Sequence, residues 1–400
     1  MRENKMPLFK LDNVIQNYAW GSTQSISELF GIQNPKAQPQ AEIWMGAHPS
    51  GCSKVAGTGM LLSDVLVQDS TGMLGDYTAA RFSELPYLFK VLAAETPLSI
   101  QVHPSKSKAE IGFARENAQG IALDAPTRNY KDANHKPELV YALTFYKAMN
   151  GFRPIEQIIA LFREASIAEL SFEVEALMTN PNSEGLETFF SAIMSLEGQR
   201  KQSALAQLGA AQSRPTKTAI CREALQYSQE FSQHYPDDIG LFSPLLLNTI
   251  ELAPGEAMFL HAETPHAYVK GTGLEIMANS DNVLRAGLTP KYIDVPELID
   301  NTKFTPIDPS TIKMEPVVKE GRLTYPIPVD DFGFDILSVS DEVKSIYLRS
   351  AEILFCVEGE AYVQSNGEQV LLKPGESVFV SNNSSVYQYQ GNGILARAYN

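Results

Sequence analysis

Ala253-Pro254-Gly255-Glu256-Ala257-Met258-Phe259-Leu260 and Lys373-Pro374-Gly375-Glu376-Ser377-Val378-Phe379-Val380 are two copies of one short pattern. In each, Pro fixes φ at the first central position of a type II turn, and Gly accepts the positive φ at the second. An alternating apolar strand follows. Turn-plus-strand units of this kind suit double-sheet jelly rolls and β-barrels, so the pair predicts two related barrels. The copies differ in their chemistry. Twelve residues beyond the first turn proline stands His266; the same step from the second reaches Val386, and His261 maps to Ser381. Residues 315–400 therefore read as a barrel without metal ligands.

Working outward, residues 1 to about 150 are rich in Pro and Gly with short apolar runs, and read mostly as strands. Ser22 to Phe30 is the exception, an early helix that Ser22 or Thr23 can cap. From Pro154 the apolar period lengthens. Ile155, Ile158, Ile159 and Phe162 form one stripe; Leu186, Phe189, Phe190, Ile193 and Met194 form another, with Ser183 as its cap. The expected fold class is mainly β with an α-helical insert. Residues 1–153 and 236–314 form a metal-binding barrel, 154–235 the insert, and 315–400 the second barrel.

Composition narrows the function. The 400 residues are 44% hydrophobic and 20% charged, enough apolar residues for a sizeable core. The 32 Lys and Arg against 47 Asp and Glu leave a net charge of −15, which disfavours nucleic acid as a partner. A small anionic substrate stays open, because one local basic cluster suffices for a phosphate. No apolar run spans a bilayer, and the start to Trp20, with Arg2, Glu3, Lys5, Lys10 and Asp12, lacks a signal peptide's apolar segment. Three scattered cysteines, Cys52, Cys221 and Cys356, form no disulfide framework, so a cytoplasmic location is expected.

The chemistry-bearing segments are far apart in the chain. In Leu98-Ser99-Ile100-Gln101-Val102-His103-Pro104, strict alternation puts Ser99, Gln101 and His103 on one face. In Glu138-Leu139-Val140-Tyr141-Ala142, Glu138 begins a face that is otherwise small and apolar, a costly place for a carboxylate unless it is paired or metal-bound. His266 follows the first Pro-Gly strand. Gln101, His103, Glu138 and His266 together make a mixed nitrogen and oxygen set that suits Zn²⁺ with a position left for substrate. Two His and one carboxylate also fit a non-haem iron triad, so ligand type alone leaves the metal open. A further stretch, Leu274 to Leu288, places Glu275, Met277 and Asn279 on one face and carries Asp281 and Arg285.

Together with Tyr18-Ala19-Trp20-Gly21, Glu42 to Pro49, Leu85 to Lys90 and Ser280 to Lys291 (SDNVLRAGLTPK), these segments resemble the type I phosphomannose isomerases over essentially the whole chain. The resemblance implies two cupin-type jelly-roll barrels plus a helical domain, and one Zn²⁺ per chain on Gln101, His103, Glu138 and His266. It implies interconversion of mannose 6-phosphate and fructose 6-phosphate, with Arg285 as the active-site arginine. Glu275, Asp281 and Lys136 are the further catalytic candidates; Ser99, Lys90 and His135 are the candidate substrate contacts. A phosphosugar is the expected partner, with no nucleic acid or membrane, for a monomer or weak homo-oligomer. An iron-dependent oxygenase on His103, His266 and Glu138, or a non-catalytic sugar-binding protein of two barrels, are the alternatives.

Overall fold

The computed structural model describes residues 6–400. Arg2, Glu3 and Lys5 of the expected leaderless start lie outside the described residues. Two antiparallel sheets of ten strands each dominate the molecule. The first is built on Glu42–Met45, Tyr87–Ala94, Glu138–Ala142, Tyr146–Phe152, Ala257–Leu260 and the long strand His266–Ala278; the second is built on Gly333–Val339, Glu352–Ser365, Ser377–Val380 and Val386–Tyr399.

Both Pro-Gly turns take the expected form. Gly255 and Gly375 have φ of 91° and 84°. Each turn is closed by a backbone bond, Glu256 N–H to Ala253 O at 3.0 Å and Glu376 N–H to Lys373 O at 2.9 Å. The glutamate carboxylate returns to the first residue, accepting from Ala253 N–H at 2.8 Å and Lys373 N–H at 2.9 Å. The strands that leave the turns pair alike: Leu260 lies opposite Glu138, and Val380 opposite Glu352. The register thus makes Glu352 the second barrel's counterpart of Glu138.

Alternation along Glu138–Ala142 sorts the core. Val140 and Ala142 face the first barrel's interior with Leu92, Met258, Leu260 and Tyr268. Leu139 and Tyr141 face outward, into a core shared with the second barrel through Phe89, Phe334 and Phe355. The Phe89 ring stands 6.1 Å from Phe334 and 6.3 Å from Phe355, edge on. Side chains of this size are worth about 3–5 kcal/mol each against truncation to Ala, so the barrels form one packed unit.

The helical insert runs through Ile155–Ala165, Ser171–Thr179, Ser183–Met194, Gly198–Gln212 and Ala219–Ser232. Its apolar stripes close on Ile100 and Val102, the inward backs of the segment that carries Gln101 and His103. Two expectations are corrected. The cap of Ser183–Met194 is Asn182, whose side chain accepts from Gly185 N–H, and Ser183 is the first helical residue. The first 150 residues also hold helices at Leu62–Gln68, Ser70–Leu74, Asp76–Phe82 and Lys106–Ala118 where strands were expected. Strand Leu8–Asp12 links the two halves, pairing with Lys54–Val55 on one edge and with Ser377–Val380 on the other. No helix among the described residues is long and apolar enough to cross a membrane.

Candidate active site

Three ligating side chains meet at one end of the first barrel. The ligand atoms of His103, Glu138 and His266 lie within 4.8 Å of one another, the one such cluster among the described residues. All three residues are buried, at 1%, 3% and 3% exposure. Glu138 reaches both imidazoles, with Oε1 3.5 Å from His103 Nε2 and Oε2 3.3 Å from His266 Nε2. Each ring is oriented from behind: His103 Nδ1 is 2.7 Å from the Asn282 carbonyl and His266 Nδ1 is 2.9 Å from the Thr264 carbonyl. With Nδ1–H donated, Nε2 presents its lone pair to the cluster.

The electrostatics favour a cation there. Burial holds the His103 imidazole down at about 4, against the pull of Glu138, so it stays neutral. Burial raises Glu138, but the Lys136 ammonium leads the opposing influences and the carboxyl is held well below its ordinary range. His103 Nε2 is buried without a hydrogen-bond partner. A neutral, orphaned imidazole nitrogen beside an ionised carboxylate and a second imidazole fits a divalent metal.

The other candidates surround this cluster. Gln101 lies opposite His266 on one side and Arg285 on the other in the strand register, and its Nε2 donates to Ser99 Oγ at 3.2 Å. Lys136 Nζ is 3.3 Å from Glu138 Oε1. Arg285 is half-buried, and burial alone lowers its pKa. No carboxylate among the described residues pairs with it. Asp281, its carboxylate 54% exposed, lies 3.4 Å from His48 Nε2, and that contact holds it ionised. His48 stacks edge-on against Trp44 with centroids 5.1 Å apart.

Deeper in the barrel, Glu275 Oε1 accepts from the Tyr268 hydroxyl at 2.8 Å, and its Oε2 lies 3.1 Å from Lys90 Nζ. Lys90 is 6% exposed, with Glu42 at 3.6 Å and the Trp44 ring beneath it. Burial pulls its pKa down, but Glu42 and Glu275 override that and hold the ammonium above the ordinary lysine value. Lys90 is thus neither a solvated strand lysine nor a free phosphate contact, because two carboxylates already match its charge. His135 is likewise engaged elsewhere, its Nε2 2.9 Å from Asp331 of the second barrel. His261 packs on Phe259 and His234 is exposed; neither joins the metal-ligand cluster.

Two residues escaped the sequence reading. Asn282 is fully buried and ties the loop 131–134 to the ligand His103. Lys291, an exposed cationic group, is lowered chiefly by the nearby charge of Arg285, then by partial burial and by Lys131.

The second barrel repeats this layout with its charges exchanged. Register sets Lys90 opposite Glu275 in the first barrel and Asp335 opposite Arg397 in the second. Arg397 Nε binds Glu352, the Glu138 counterpart, at 2.7 Å, and its Nη1 binds Asp335 at 2.6 Å. Where the first barrel turns its carboxylate toward two imidazoles, the second neutralises it with a guanidinium.

Paired jelly rolls with a buried His–Glu–His cluster at one mouth define a metal-binding two-barrel cupin protein. Residues 8–155 match the family model for the phosphomannose isomerase type I catalytic domain, 163–247 the type I helical insertion domain, and 321–400 the mannose-6-phosphate isomerase cupin domain. The chain is 50% identical over 398 residues to mannose-6-phosphate isomerase of Escherichia coli K12, covering 98% of this chain and 99% of that one. It is 34% identical over 418 residues to the human protein of that name, covering 95% and 94%. A crystal structure of mannose 6-phosphate isomerase, holo and zinc bound, superposes with a TM-score of 0.92 at 50% identity, covering 99% of this chain and all of that one. The chain belongs to the type I phosphomannose isomerase family.

Proposed function

We infer that this protein interconverts mannose 6-phosphate and fructose 6-phosphate with one zinc ion, through an enediol or enediolate of the sugar. The observation that carries the reading is the orphaned, buried His103 Nε2, which faces Glu138 and His266 within the one cluster able to hold a metal among the described residues. His103, Glu138 and His266 would hold the ion, with the Gln101 amide oxygen as fourth ligand, its nitrogen being given to Ser99. Bound zinc supplies Lewis-acid polarisation and neutralises developing negative charge.

The remaining roles follow from placement. Aldose–ketose isomerisation moves one proton between C1 and C2, so the site needs an acid, a base and a cation near the enediolate oxygens. Lys136 is the closest ammonium to the ligand set and serves as proton donor. Glu275 and Asp281 are the carboxylates offered for proton removal: burial raises Glu275, the direction of a better base, with Lys90 and Tyr268 holding it in place, while Asp281 is exposed and kept ionised by His48. Arg285 has no carboxylate partner and is free to hold an oxyanion. The sugar's phosphate is assigned to Arg285 and Lys291 with Ser99, in place of Lys90 and His135, whose charges or ring nitrogens are already engaged. Three unbridged cysteines support a reducing, cytoplasmic setting, and the assigned partner is a small phosphosugar, bound by a monomer or weak homo-oligomer.

The test is zinc analysis with a mannose 6-phosphate assay run aerobically and anaerobically. Equal turnover in both atmospheres, with metal and activity lost together in Gln101→Ala, His103→Ala, Glu138→Ala and His266→Ala, is the expected result. Full zinc occupancy without isomerisation would overturn the reading.

A further inference from the structure

The second barrel lacks the histidines of the first, yet it touches the loop from which Lys136 projects. Asp331, just before strand Gly333–Val339, places Oδ2 2.9 Å from His135 Nε2. The carboxylate is 8% exposed and the imidazole 21%. A charge-assisted bond in so sheltered a place is roughly twice as strong as a neutral one. His135 is followed by Lys136, whose Nζ lies 3.3 Å from Glu138, and then by Pro137, which restricts the backbone between them.

The segment around Asp331 is itself fixed. Asp330 pairs with Arg81 at 3.2 Å. Phe332 is 2% exposed, with its ring 6.4 Å from Phe259, whose strand neighbour is Leu139 beside Glu138. On the other side of His135, Asn134 donates to Asn279 O at 2.8 Å, and its carbonyl accepts from Asn282 at 2.8 Å. Loop 134–137 is therefore held at one end by the first barrel and at its middle by the second. A lysine on a flexible four-carbon stem needs such anchoring, because small misplacements of a reacting group cost large factors in rate.

We propose that Asp331 is a positioning residue for the first barrel's reaction: through His135 it fixes the loop that delivers Lys136 to the substrate side of the ligand cluster. This rests on the isomerase reading above. It gives the metal-free barrel a direct part in turnover.

The experiment compares kcat, KM, zinc content and melting temperature of wild type, Asp331→Ala, Asp331→Asn and Asp330→Ala, all zinc-loaded. Asp331→Ala is expected to lower kcat by about 10–100-fold, with KM within about threefold and zinc stoichiometry intact. Asp331→Asn keeps an oxygen to accept from Nε2–H and should recover to within about fivefold of wild type. Asp330→Ala removes only an exposed pair and should stay within about twofold. Should Asp331→Ala fold too poorly to assay, Asp331→Asn combined with His135→Ala carries the test, since the double variant should be no slower than His135→Ala alone. Wild-type kcat in Asp331→Ala, a loss confined to melting temperature, or additive losses in the double variant would overturn the positioning role. A zinc-loaded wild type that fails to isomerise mannose 6-phosphate would instead remove the isomerase reading beneath it.

Discussion

Replacing Asn282 by alanine should damage zinc binding without touching a ligand side chain. Its Oδ1 accepts from Lys131 N–H at 2.6 Å and Asp132 N–H at 3.2 Å, while its Nδ2 donates to the carbonyls of Asp132 and Asn134, each at 2.8 Å. Its own carbonyl receives His103 Nδ1 at 2.7 Å. Truncation leaves those four backbone groups short of a partner beside a fully buried residue. At about 1 kcal/mol net per bond, less what water recovers at the half-buried loop, the loss is about 2–4 kcal/mol. Loosening the group that orients a ligating histidine lowers metal affinity by about 10–100-fold. Asn282→Asp separates hydrogen bonding from shape, because it keeps the acceptor but turns both donations into oxygen–oxygen repulsion next to Asp132. It should be no better than alanine. Urea denaturation of the apo and zinc forms gives the stability, and competition with a chelator gives the affinity. An Asn282→Ala protein with wild-type zinc affinity and stability would refute the claim that this side chain organises the site.

Three further outcomes are expected. Arg285→Ala should keep its zinc while kcat/KM for mannose 6-phosphate falls by about 100-fold, since a preorganised cation is lost from the site; unchanged turnover would remove Arg285 from the mechanism. Arg397→Met leaves Glu352 and Asp335, each 1% exposed, without their shared cation, and should cost about 3–5 kcal/mol by denaturant titration, whereas adding Glu352→Gln and Asp335→Asn should restore most of it. Burial raises the Cys221 thiol to about 11 and the Cys356 thiol to about 12, so thiolate is scarce at pH 8. A thiol reagent at that pH should titrate half-buried Cys52 in the native protein and reach the other two only after unfolding.

Patterns set by local geometry were legible in the sequence. The Pro-Gly turns announced both barrels because Pro and Gly constrain φ without help from the rest of the fold. Alternation put Glu138 among Val140 and Ala142 and so marked it as a carboxylate in an apolar interior. What could not be read depends on partners distant in sequence. Lys90 looks like any strand lysine until Glu42 and Glu275 close on it from two other strands. The kinship of Glu352 with Glu138 appears only once each is seen opposite the end of a Pro-Gly strand. Helix Lys106–Ala118 was missed because only Ala109, Gly112 and Glu116 are buried along it, so it carries hardly any apolar stripe. Asn282 gave no signal because an asparagine's importance lies in which backbone groups it meets.

Strand Leu8–Asp12 carries a consequence for biosynthesis. It pairs on one edge with Lys54–Val55 and on the other with Ser377–Val380, which leaves the ribosome more than 360 residues later. During translation Phe9 and Leu11 share a core with early residues such as Val55 and Leu62, but the strand edge that takes Ser377–Val380 stays open until that segment has emerged. The named strands of the first barrel end at Arg285, so vectorial synthesis delivers the metal-ligating half before Ser377–Val380 arrives to close on Leu8–Asp12.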